Sequence, residues 1–109
     1  MKTYVFDIDG TICSLCDGDY EHAKPYYDRI NMINKLHQEG NIIIFNTARG
    51  MGRYKNTAGL AHAAFYDLTV KQLHAWRVKY HKLFMGKPSG DFYIDDKGIK
   101  DEDFFNTRN

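Results

Sequence analysis

The 109-residue sequence predicts an α/β protein, a parallel sheet flanked by helices, on three observations. Short apolar runs, such as "TYVFD" (Thr3 to Asp7) and "NIIIFN" (Asn41 to Asn46), lack polar alternation and match strands covered on both faces. Segments with helical spacing separate them, which argues for right-handed crossovers between parallel neighbours. Carboxylates and hydroxyls stand where the apolar runs stop. Asp7 and Asp9 end the first run, Thr47 follows the second, and Asp95 with Asp96 ends a last run, "DFYID". Ligands of such sheets gather outside the carboxyl ends of the strands, so these distant residues are expected on one rim.

Each element has its own signal. Residues 3 to 7 form the first strand, and Ser14 to Lys24 is polar and loop-like. Pro25 suits a first helical turn, followed at helical spacing by Tyr26, Ile30, Ile33 and Leu36 or His37. Gly40 stands where a left-handed C-terminal cap belongs. "NIIIFN" is the second strand, and the glycine-rich "RGMGR" a loop. Thr57 to Trp76 is largely helical, with a break expected near Tyr66-Asp67. "YHKLFM" (Tyr80 to Met85) and "DFYID" (Asp91 to Asp95) are two further strands. The charged tail from Lys97 holds Phe104 and Phe105, which need apolar neighbours. No repeat, low-complexity stretch or linker divides residues 1–109, so a single domain is expected.

Composition narrows the function. A hydrophobic content of 43% supplies a core without disulfide staples. Net charge is +1, which gives no field for nucleic acid or membrane surfaces. No apolar run approaches the roughly 20 residues of a membrane span, and a charge arrives too early for a signal peptide. Cys13 and Cys16 are too few for a disulfide scaffold. A cytoplasmic protein is the expectation.

An aspartate pair ending a buried strand needs a reason, since burying unpaired carboxylates costs several kcal/mol or more. "DIDGT" (Asp7 to Thr11), Thr47, Lys87 and "YIDD" (Tyr93 to Asp96) occur in an order that resembles the four motifs of the haloacid dehalogenase-like superfamily. The likeness spans Asp7 to Asp96, and "GKPSGDFYIDDK" is similar to small phosphatases of capsule and surface-polysaccharide biosynthesis. The resemblance implies a Rossmann-like sheet without a cap domain and a magnesium-dependent phosphatase working through an aspartyl-phosphate. It makes Asp7 the nucleophile, Asp9 the general acid and then base, and Thr47 and Lys87 the holders of the phosphoryl group. It gives Mg²⁺ the ligands Asp7, the main-chain carbonyl of Asp9, and Asp95, with Asp96 assisting. Asp7, Asp95, Asp96 and a phosphomonoester dianion together outweigh the charge of Lys87, so a cation is needed.

Gly10 lets the chain turn, and amides of the Gly10-Thr11 turn can face phosphate oxygens. Ala48, Arg49 and Arg53 follow Thr47 and are candidate substrate contacts, with ordinary surface charge the alternative for the arginines. Lys87 lies eight residues before Asp95, too close for an intervening helix, so that connection must be extended and Lys97 is the reserve cation. The expected substrate is a small phosphorylated metabolite, a sugar phosphate. Without a lid, Tyr20, Tyr54, Phe65 and the Phe104-Phe105 tail offer apolar surface, and a homo-dimer or tetramer is expected. Two other classes compete. Cys13 and Cys16 could form a thiol redox pair. Lys71, His74, Arg77, Lys79, His81 and Lys82, interleaved with Trp76 and Tyr80, could make a non-catalytic nucleic-acid or phosphate-binding module.

Overall fold

The computed structural model describes residues 1–107. The order is β1 (Thr3–Phe6), a 3-10 turn (Tyr20–His22), α1 (Tyr27–Gln38), β2 (Ile42–Thr47), α2 (Ala58–Ala75), β3 (Lys82–Met85) and α3 (Asp101–Thr107). The three strands form one parallel sheet in the order β1-β2-β3. Their registers, Phe6 to Phe45 and Thr47 to Met85, bring the carboxyl ends to one rim.

Helix α1 follows its apolar spacing. Ile30, Ile33 and Leu36 are buried and join Phe6, Ile43, Phe45, Leu73 and Trp76 in one core. Full burial of such side chains favours folding by about 1.5–3 kcal/mol each. Gly40, at φ +94°, ends the helix in the left-handed region that glycine adopts without strain.

Three expectations change. Helix α2 runs unbroken through Tyr66-Asp67, because propensity is a weak force beside packing by Ala61, Thr69 and Leu73. The sheet is covered well on only one face. Ile43, Phe45 and Thr47 are buried while Ile42, Ile44 and Asn46 are partly open, and in register with them Val5 is 61% and Phe84 52% exposed.

The largest change concerns "DFYID", which is no strand. Residues 91–100 are all exposed and β1 remains at the edge of the sheet. The Tyr93 hydroxyl donates to the Pro88 carbonyl (2.8 Å) and accepts the Gly90 N–H (3.1 Å), which folds the segment back on itself. The tail beyond it does pack. Phe104 meets Phe6 edge-on, Phe105 stacks on it, and Phe105 is 3% exposed, so this pair belongs to the core rather than to an association surface.

Candidate active site

Asp7 sits one residue past β1 on the rim. Its Oδ1 accepts the Ile8 N–H (2.8 Å) and its Oδ2 lies 3.9 Å from Lys87 Nζ. Burial pushes the Asp7 carboxyl above its ordinary value, with Asp9 adding to the push and Lys87 the main opposing influence. Lys87 arrives by a specific backbone course. Gly86 adopts φ +93°, where a Cβ would meet that of Ala58 at 2.9 Å, and the Lys87 N–H then donates to the Thr47 carbonyl (3.1 Å). The ammonium also lies 4.4 Å from the centre of the Tyr93 ring. Lys87 is therefore the cation of this rim. Lys97 is exposed, and its N–H donates to Asp95.

Asp9 has a different partner. Arg49 grips it with two bonds, Nε to Oδ2 and Nη2 to Oδ1, both 3.0 Å. The same guanidinium donates to Thr69 Oγ1 (3.1 Å) and Gln72 Oε1, and Tyr20 lies over it at 4.9 Å. Arg49 is 1% exposed. The expected substrate contact is thus corrected: the donors of Arg49 are engaged inside the protein, and a buried planar fork suits this bidentate pairing. Both oxygens of Asp9 accept hydrogen bonds from this guanidinium, so Asp9 is held in place rather than free on the rim. Thr69, Gln72 and Tyr20 complete the clamp. Sequence reasoning missed them because nothing in α2 marks Thr69 or Gln72 as facing a charge.

The remaining predicted residues divide. Ala48 lines a cleft of about 240 Å³ with Asp7, Asp9, Arg49 and the loop from Leu15 to Gly18. Thr47 is fully buried, and its Oγ1 accepts the Arg49 N–H (3.1 Å). The hydroxyl thus shapes the turn after β2. The Gly10 and Thr11 amides donate to the carbonyls of Cys13 (2.8 Å) and Ile8 (3.0 Å), so they are not turned toward a ligand. Arg53 stacks over Phe65 at 5.1 Å, and Phe65 meets Tyr20 edge-on, so the expected rim aromatics cover each other in part.

Asp95 and Asp96 are exposed and are not brought to Asp7. Asp95 accepts the Lys97 and Gly98 N–H groups, which hold its carboxyl below the usual value. Among the described residues, no group of three or more His, Cys, Asp or Glu could hold a metal ion. Among the described residues, Asp95 and Asp96 thus stand apart from the carboxylates with which the resemblance groups them.

The competing sites fare differently. Cys13 is buried and donates to Asp9 Oδ1 (3.4 Å), and Cys16 approaches the same oxygen at 3.9 Å. Burial chiefly, and then the charge of Asp9, pushes the Cys13 thiol up to about 12; Cys16 is raised for the same reasons. A thiol so placed is a poor nucleophile. Native protein treated with iodoacetamide at pH 8 should leave Cys13 unmodified until it is unfolded. Fast labelling of Cys13 in folded protein would restore the redox reading. In the basic stretch, Trp76 is buried and Tyr80 packs edge-on to Phe45 at 5.7 Å, so the aromatics belong to the core. No helix among the described residues is long and apolar enough to cross a membrane.

Neither a family model nor a curated protein matches the chain. A solved structure does. A crystallised structural-genomics target from Vibrio cholerae is 30% identical, with a TM-score of 0.88 over 96% of this chain and 88% of that one. The name of that structure states no activity. The likeness extends over nearly the whole chain, and at this identity the chain belongs to the same family as the Vibrio cholerae protein.

Proposed function

We propose that this protein is a phosphomonoester hydrolase of the haloacid dehalogenase-like type, with Asp7 as the nucleophile. The observation that carries the reading is the Asp7 carboxylate facing Lys87 at 3.9 Å on the carboxyl rim of a parallel sheet, above a cleft. A carboxylate attacks phosphorus to form an acyl phosphate, which water then cleaves. Lys87 draws the phosphoryl oxygens toward Asp7 and offsets the charge that accumulates in the transition state. On this reading Asp9, which lines the same cleft and is held by Arg49, takes the proton of the attacking water. To give a proton to the leaving oxygen in the first step, Asp9 opens one Arg49 bond and takes up a proton from solvent at the freed oxygen.

The cleft is small and mixed in character, with Asp7, Asp9 and Arg49 beside Leu15, Tyr20 and Ala48, which suits a small phosphorylated metabolite. The likeness of "GKPSGDFYIDDK" to polysaccharide-pathway phosphatases makes a sugar phosphate the substrate we favour. Purified protein assayed on a generic aryl phosphate, with a divalent cation and then with a chelator, tests the activity. A screen of phosphorylated sugars follows. No turnover under any of these conditions would refute the reading.

Lys87→Met separates catalysis from stability. Removing one stabilising cation should lower kcat/KM by roughly 10²–10³-fold. The ion pair is partly open to water, so urea unfolding should change by less than about 1 kcal/mol. Wild-type kinetics in the variant would remove Lys87 from the site.

A further inference from the structure

Two unsatisfied features of this chain complement each other. Among the described residues, strand β1 carries a ladder on its β2 side only, at the edge of a sheet whose open face shows Val5 and Phe84. A parallel sheet is ordinarily covered, and an unpaired edge is a template for another strand. The second feature is the arm of residues 91–100, wholly exposed. It is tied down at both ends. Lys87 donates to Thr47, Ser89 donates to Asn56 Oδ1 (2.8 Å), and beyond the arm Asp101 pairs with Arg29 (2.7 Å). Between those anchors, Tyr93 turns inward to Pro88 and Lys87, while Phe92 and Ile94 on either side are 85% and 95% exposed. That alternation is the pattern of a strand with one face lacking its cover.

We propose that two copies exchange these arms, each Phe92–Asp95 segment adding as a fourth parallel strand to β1 of the other copy. The occupant is a second copy because the arm and the edge are present on every chain, and a two-fold arrangement closes both at once. Ten residues running out and back reach roughly 15 Å, enough to cross to a neighbour. Phe92 and Ile94 then flank Val5 and extend the apolar stripe of Val5, Ile44 and Phe84. All three strands run toward the rim, so a parallel fourth ends there too. It sets Asp95 and Asp96 of one copy beside Asp7 and Lys87 of the other. This supplies the carboxylates that one chain alone does not bring to its cleft, and this part rests on the phosphatase reading.

Light scattering at micromolar concentration should give twice 12.7 kDa. Phe92→Asp/Ile94→Asp should give 12.7 kDa with unchanged circular dichroism, because both side chains are exposed within a chain. A wild-type mass of 12.7 kDa overturns the exchange, as does any larger mass that the double substitution leaves unchanged. The second arm of the test is complementation. Asp7→Asn and Asp95→Asn chains, each inactive, are refolded together in equal amounts. Half of the dimers are then mixed, each with one intact site, so about a quarter of wild-type turnover should return. No return, with wild-type protein active, overturns the shared site. If wild-type protein has no turnover at all, the phosphatase reading fails while the mass measurements still decide the exchange.

Discussion

Asp7→Asn should give a folded protein whose turnover of an aryl phosphate is lower by several orders of magnitude. On the proposed mechanism the substitution keeps the shape of the side chain and removes the charge that attacks phosphorus, while the other carboxylate of the cleft, Asp9, is held by Arg49 at both oxygens. Stability should move the other way. Burial raises the Asp7 carboxyl in the folded state above its ordinary 3.8. The folded protein therefore binds this proton more tightly than the unfolded chain does. For this group the sign is fixed: stability is greatest below 3.8 and falls as pH rises through the elevated value. The asparagine variant lacks that fall. Its melting temperature at pH 7 should equal or exceed that of the wild type, and the difference should vanish in acid. Near-normal turnover in the folded variant would defeat the mechanism, and a large loss of melting temperature would defeat the electrostatic account.

Arg49→Met should be the most destabilising single change at the site. It leaves Asp9, whose side chain is 17% exposed, without its bidentate partner and strips hydrogen bonds from Thr69 and Gln72. Breaking one side of a buried ion pair costs about 3–5 kcal/mol. For a domain of this size the melting temperature should drop by more than about 10 °C. Removing the stranded charge as well, in Arg49→Met/Asp9→Asn, should recover much of the loss. Urea unfolding of both variants checks this. A single variant within 1 kcal/mol of wild type, by order of magnitude, would show that Arg49 does not clamp Asp9.

The sequence alone determined three strands of the parallel sheet, the principal helices and the rim on which Asp7 and Lys87 meet. Unalternating apolar runs and 3.6-residue spacing are local signals, and β1, α1, β2 and α2 follow from them. Asp7 and Lys87 were legible because each stands just past a strand, where topology leaves no freedom of direction. Arg49 was misjudged because its neighbours in sequence, Ala48 and Gly50, say nothing about Asp9, Thr69 and Gln72, which lie 40, 20 and 23 residues away. Burial of a charge depends on partners gathered from elsewhere in the chain, so only the tertiary structure could assign it. The "DFYID" segment has the composition of a strand, but composition cannot create an edge for it to pair with. Tyr93 instead folds back on Pro88, and the open side of β1 is left for another strand. Local pattern fixes which residues can form a strand; the three-dimensional arrangement decides whether a partner is within reach.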